Sequence, residues 1–322
     1  MSVLPVRLAS DLEPWPDERR WLIEELWTER GVGILGGEPK LGKSWLALDA
    51  AVSVAAGVPC MRRFAVPRAG PVLLYAAEDA LHVVRQRLES ITAAAGIGLA
   101  GLPLHVITAP SVRLDVEQDR EGLRATVGAI EPRLLVLDPF VRLHRKDENV
   151  AAEVAPLLAY LRQLERELGV AVLLVHHARK NGGAARAGQA LRGSSELHAW
   201  GDSNLYLRRR GEGALWLTIE HRAAPSPPRR SVALRERCGG LSLEPSDEQE
   251  PASEHGTKTT SRERVLAALT TEPRSIREIR ELSRMRTATL CDVLADLVAE
   301  GAIERTPEGY RIARFPPAHP RE

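Results

Sequence analysis

The chain has 322 residues, 44% of them hydrophobic, which is enough for one large domain and one small one with a sizeable core. Its 44 Lys and Arg against 43 Asp and Glu leave a net charge of +1, so bulk basicity is excluded as a basis for nucleic-acid or membrane binding and local patches must do such work. Apolar runs stay short of the roughly 18 residues that a membrane span needs, and Cys60, Cys238 and Cys291 are odd in number without paired metal-ligand spacing, so a cytoplasmic protein with inert thiols is expected.

The first stretch, MSVLPVRLASDLEPWPDERR, carries acids and prolines where a secretion signal needs an apolar core. It belongs to a lead-in of residues 1–30 that closes on WLIEELW. From about 31 to 222, short apolar runs alternate with helical periods: GVGILGG, SWLALDAAVSVAAG, PVLLYAAED, HVVRQRLESITAAAG, LHVITA, RLLVLDP, VAPLLAYLRQLERELG and VAVLLVHH. Wholly apolar strands between amphipathic helices predict an α/β fold around a predominantly parallel sheet covered on both faces. SNLYLRRR and GALWLTIEH, around the Gly211–Gly213 turn, read as a closing pair of strands.

The chemistry begins in the first strand–helix junction. The chain has five Lys among its 44 cationic residues, and two of them, Lys40 and Lys43, sit in one loop. Gly37-Glu38-Pro39-Lys40-Leu41-Gly42-Lys43-Ser44 fits G-x-x-x-x-G-K-[ST] between a strand and a helix. With Trp45 at the helix start, this stretch is the expected cofactor cradle: backbone amides and the helix N-terminus wrap a triphosphate, Lys43 reaches the β and γ phosphates, and Ser44 ligates Mg²⁺. Lys40 itself reads as a solvent-facing loop residue. PVLLYAAED brings Glu78 and Asp79 to a strand end, where Glu78 is placed to deprotonate the attacking water and Asp79 to cap the next helix. RLLVLDP ends on Asp138, in position for the metal side of the phosphates. VAVLLVHH ends on His176 and His177. No third ligand at matching spacing supports a metal there, so a γ-phosphate sensor is the better reading.

Residues 244–260 are acidic, contain Pro, Ser and Gly, and lack apolar periodicity; they read as a linker. Residues 261–315 show three helical periods and a short ribbon, EGAIERTPEGYRIA, which predicts a winged helix-turn-helix domain before a tail of 316–322. Arg274, Arg277, Arg280, Arg284 and Arg286 crowd the turn before its third helix, where a recognition helix would meet duplex DNA; Arg284 and Arg286 are the leading contacts. Asp292, Asp296 and Glu300 along the same helix suit a protein-contact module instead.

Over about 15–235, GGEPKLGKS, YAAED, LVLDPF, LVHHARK, LRGSSEL and LTIEHR, in this order, resemble the RecA-like hexameric ATPases, specifically the RepA-type plasmid replication helicases and their chromosomal relatives. The resemblance implies a RecA-like core over 1–243, ATP and Mg²⁺ as cofactors, Lys43 and Ser44 on nucleotide and metal, Glu78 as base, Asp138 on the metal side and His177 as sensor. It also implies a homo-oligomer in the form of a hexameric ring, with single-stranded DNA in its channel. Arg222 of EHR stands where that superfamily carries a Lys-x-Arg finger reaching a neighbour's γ-phosphate; Glu220 replaces the Lys, and Arg208 and Arg209 are rivals. ARKNGGAARAGQALRGSS matches the second channel loop, which gives Arg179, Lys180 and Arg186 as DNA contacts. FVRLHRKDENV matches the first, with His144, Arg145 and Lys146 but no exposed aromatic for stacking on bases. The implied activity is helicase- or translocase-like ATP hydrolysis on DNA in replication, plasmid maintenance or recombination. The alternative is an ATP-gated DNA-binding regulator that unwinds nothing.

Overall fold

The computed structural model describes residues 4–12, 16, 19–177, 195–210, 214–249, 261–283, 285 and 287–313. The chain divides into two compact units, Met1–Glu250 and Pro251–Glu322.

In the first unit a two-stranded lead-in, β1 (Trp21–Ile23) and β2 (Trp27–Thr28), precedes the alternation expected from the sequence: β3 (Val32–Gly37), α1 (Lys43–Ala56), β4 (Val72–Ala76), α2 (Leu81–Ala94), β5 (Leu104–Val106), α3 (Glu117–Ile130), β6 (Leu134–Asp138), α4 (Ala151–Leu168), β7 (Ala171–His177), α5 (Ser195–Trp200), β8 (Ser203–Arg210) and β9 (Ala214–His221). Two further strands follow, β10 (Arg230–Arg237) and β11 (Gly240–Gln249). All but the lead-in strands join one nine-stranded sheet in the order β11-β10-β9-β8-β3-β7-β6-β4-β5. From β5 to β8 the neighbours run parallel. The last three strands are antiparallel additions.

Period-two alternation sends successive strand residues to opposite faces. Leu35, Leu74, Val136 and Leu173 pack under α1 and α2. Ile34, Leu73, Leu135 and Val172 pack under α3 and α4. Burial on both faces explains why these strands are apolar throughout. No described helix is long and apolar enough to cross a membrane.

Two departures from the sequence reading have clear causes. The helix α3 buries only Leu123 and Val127, so its apolar stripe is too narrow to stand out. The linker expected from 244 does not start there, because 244–249 continue β11, which pairs with β10 and ties back to α2 through Leu241 N–H donating to Ser90 Oγ at 2.9 Å. Residues 250–260 lie outside the described residues.

The second unit holds α6 (Ser261–Ala267), α7 (Ile276–Ser283), α8 (Thr287–Ala299) and an antiparallel ribbon of β12 (Ile303–Thr306) and β13 (Gly309–Ile312). Val265, Leu269, Ile279, Leu290, Leu294, Leu297 and Ile303 form its core. Ser275 and Glu278 make a capping box at the start of α7: Ser275 N–H donates to the Glu278 carboxylate at 2.8 Å, and Glu278 N–H donates to Ser275 Oγ at 3.3 Å. Arg274 and Tyr310 exchange two backbone hydrogen bonds of 2.9 Å, which stitch the ribbon to the chain two residues before α7.

Gly33 marks the tightest point of the sheet. A Cβ there would lie 1.7 Å from the Ser203 carbonyl oxygen and 3.1 Å from the Trp27 ring. Gly33→Ala is therefore expected to lower the unfolding free energy by about 3 kcal/mol, the upper range for overpacking, read as a reduced midpoint in chemical denaturation with unchanged m-value.

Candidate active site

The motif from Gly37 to Ser44 turns between the C-terminal end of β3 and the head of α1. Gly37 pairs with His177 on β7 and with Leu207 on β8. Gly42, the residue before the helix, sits at φ 87°, where a side chain would be strained, and nothing lies within 4 Å of where its Cβ would be. The first-turn amides of α1 lack intrahelical acceptors, as at any helix N-terminus. Glu38, Pro39 and Lys40 are exposed, whereas Leu41 is buried in the core beneath the loop.

Lys43 is 4% exposed and donates from Nζ to the Glu38 carbonyl at 2.7 Å. Burial lowers its pKa to about 8, partly offset by the carboxylates of Asp138, Glu78 and Glu38. Asp138, at the end of β6, is also buried; burial raises its pKa to about 6, against the Ser44 hydroxyl that hydrogen-bonds to it. A desolvated ammonium and a desolvated carboxylate bonded to the motif's own hydroxyl suit a polyphosphate with a divalent cation. Among the described residues no group of three His, Cys, Asp or Glu could hold a metal by itself. Trp45 follows Ser44 and packs partly into the core with its indole nitrogen unbonded.

Glu78 lies two residues past Ala76, the end of β4 and the register partner of Asp138, whose carbonyl accepts the Ala77 N–H at 2.7 Å. Its carboxylate receives Arg142 Nε at 2.8 Å. Asp79 does not cap the next helix as expected: α2 starts at Leu81 with no side-chain cap, and Asp79 instead pairs with Arg87, within α2. His176 and His177 diverge as strand neighbours must. His176 lies against Phe140. His177 faces the loop: burial and then Lys43 lower its pKa, Glu78 opposes them, and its Nδ1 is buried without a hydrogen-bond partner.

Other expected contacts lie elsewhere. Arg222 follows β9 at the end where His221 pairs with Ser203, the opposite end of β8 from Leu207 and the phosphate loop. It donates to the Ala199 carbonyl and lies 3.6 Å from Asp202. Arg208 is at the loop's end of β8, where it senses Glu38. His144 is no channel cation: it is 4% exposed, packed on Phe140. Arg274 turns inward to the Ala268 carbonyl at 2.7 Å. Arg179, Lys180, Arg186, Arg284 and Arg286 lie outside the described residues. Arg142 and Glu148, both beside the site, carry no motif signal that sequence reading could have used.

Residues 2–183 match the AAA domain family, more than half of the chain. The chain belongs to that family. Among solved structures it is similar to a DnaB-like replicative helicase described with its primase interactions, at 16% identity and a TM-score of 0.52 over 66% of this chain and 57% of that one. It is also similar to a KaiC-like protein from the hyperthermophilic archaeon Pyrococcus horikoshii, at 15% identity and a TM-score of 0.47 over 70% and 94%. The chain thus spans little more than half of the helicase's length, 57%, and at this identity the likeness is one of fold, a RecA-like P-loop ATPase core.

The raised pKa of Asp138 carries a sign. Its folded value of about 6 exceeds the ordinary 3.8, so the stability it lends is complete below pH 4 and is lost as pH rises through 6. Without nucleotide, Asp138→Asn should stabilise the chain at pH 8 by about 2–3 kcal/mol, a gain that disappears near pH 4. Denaturation across that pH series checks it.

Proposed function

We propose that this chain is a ring-forming ATPase that hydrolyses ATP with Mg²⁺ and acts on DNA. The observation that carries the reading is the Lys43 ammonium, buried at the head of α1 beside the Asp138–Ser44 pair. Such a charge is costly to hold without an anion, and triphosphate oxygens supply one. The backbone of Gly37–Trp45 and Lys43 hold the phosphates; Ser44 and Asp138 hold the metal, which neutralises phosphate charge. Glu78 takes the proton of the attacking water once it leaves Arg142, and His177 reads the γ-phosphate.

Arg222 supports an assembly of copies, since it stands at the sheet end opposite its own phosphate loop and stays 52% exposed while it contacts Ala199 and Asp202, so that exchanging those contacts for a neighbour's site would make it a finger. The family resemblance supports a hexamer as the form of that assembly. The DNA reading rests on the basic loop with Arg179, Lys180 and Arg186 as sequence-blind phosphate contacts. It rests also on the second unit, whose three helices and ribbon we assign as a winged helix-turn-helix over 261–315, with Arg284 and Arg286 toward a duplex. That compact unit also favours a second reading, an ATP-gated DNA-binding regulator.

Lys43→Ala is expected to abolish turnover and weaken ATP binding, whereas Glu78→Gln keeps binding and lowers kcat by at least about 10²-fold. Near-normal turnover in Glu78→Gln would move the base to another residue.

For DNA, replacing Arg179, Lys180 and Arg186 together by Ala in the full chain should remove single-strand stimulation of ATPase while sparing basal hydrolysis, and should flatten the salt dependence of binding. Replacing Arg284 and Arg286 should weaken duplex binding alone. Anisotropy of labelled single-stranded and duplex DNA across a salt series separates the two. Turnover that DNA leaves unchanged, with duplex binding intact, would favour the regulator.

A further inference from the structure

The segment between β6 and α4, residues 139–150, makes two contacts: one at the proposed hydrolytic site and one in the layer behind it. Near its start Arg142 holds the Glu78 carboxylate, 2.8 Å from Nε. Near its end the Glu148 side chain, only 12% exposed, faces two buried imidazoles: its Oε1 lies 3.7 Å from His144 Nε2 and 3.8 Å from His176 Nδ1. The Lys146 N–H donates to His144 Nδ1 at 3.1 Å, which leaves the proton of the neutral ring on Nε2, toward Glu148. Phe140 closes the cluster, with ring centroids 4.3 Å from His144 and 6.0 Å from His176.

This arrangement differs from a surface ion pair in burial and in having two partners for one carboxylate. Burial works against ionisation of Glu148, but the His144 imidazole, then His176 and His177, outweigh it and hold the carboxyl below its ordinary range. His176 and His177 are consecutive on β7, so one points at Glu148 and the other at Lys43 and Glu78. A strand end gripped on one face is fixed on the other.

We propose that Glu148 is a positioning residue for hydrolysis: it fastens the 139–150 segment to His176 and thereby holds His177, and Arg142 against Glu78, in one register at the phosphate loop. The assignment rests on the ATPase reading. It makes the 139–150 segment a lever, because a ligand that displaces it moves the sensor and the base together.

The test uses the full chain. Glu148→Gln preserves shape and removes the charge; Glu148→Asp preserves the charge on a shorter arm. Glu148→Gln is expected to lower kcat about tenfold, the scale for loss of a supporting partner, with KM changed by less than about twofold, as for an effect confined to the chemical step. Glu148→Asp should recover at least part of kcat. Histidine-selective NMR supplies a readout that packing alone would not move. The charged and titratable groups facing His177 are Lys43, Glu78, His176 and Glu148. Losing the Glu148 anion should move the His177 titration to lower pH in Glu148→Gln and leave it in place in Glu148→Asp.

Wild-type kcat and an unmoved His177 in Glu148→Gln would overturn the proposal, as would equal impairment of the two variants. If Glu148→Gln does not fold, His144→Asn decides, since it keeps an acceptor for the Lys146 N–H and removes the donor toward Glu148; wild-type kcat there overturns the proposal and a lowered kcat supports it. A wild-type chain without ATP turnover would overturn the ATPase reading alone, because the histidine titration needs no turnover to judge the clamp.

Discussion

A lysine ammonium held out of water at the mouth of a loop is the constraint around which the first unit is arranged. Lys43 is nearly fully buried, so its charge must be answered by what surrounds it: the Glu38 carbonyl and the carboxylates of Asp138, Glu78 and Glu38. Each of these groups arrives on a different element. Glu38 lies in the loop itself, Glu78 follows β4, and Asp138 ends β6. Bringing them together requires parallel strands whose C-terminal ends share one edge, and that is the sheet the chain builds.

The same edge explains how two adjacent histidines take separate tasks. Parallel strands in a two-sided core leave no neutral direction for a side chain, so a pair at a strand end must split between layers. His176 enters the α3–α4 layer with Phe140 and Glu148, while His177 enters the phosphate side. Within the first unit, charge is thus distributed by alternation as much as by sequence motif.

Much of this was legible in the residues. Gly37–Ser44 stands out because phosphate binding calls for glycine, lysine and a hydroxyl at fixed spacing, and the apolar runs ending in Glu78, Asp138 and His177 declare their strands by burial on both faces. Less visible was whatever depends on partial burial. RSVALRER and GLSLEPSDEQ become β10 and β11 although polar residues fill them, since this antiparallel extension is only partly covered: β10 is exposed from Ala233 to Arg237, and β11 is the edge of the sheet. His144 looked like a loop cation because its burial depends on Phe140 and Glu148, and no local pattern encodes that meeting. Asp79 looked like a cap because its actual partner, Arg87, lies eight residues on and competes for the carboxylate.

The pairing of β3 with β8 bears on how the molecule comes into being. The strand that carries the phosphate loop has one flank closed by residues that come 170 positions later, through contacts such as Ile34 N–H donating to Asn204 Oδ1. On a ribosome, β3 and the loop emerge early and wait for that flank through most of the first unit's synthesis. Long-range closure of this kind is slow and leaves apolar edges exposed meanwhile. The proposed nucleotide cradle, early in the sequence, therefore becomes native only after β8 has been made, and nascent chains that stop short of β8 should lack a competent one.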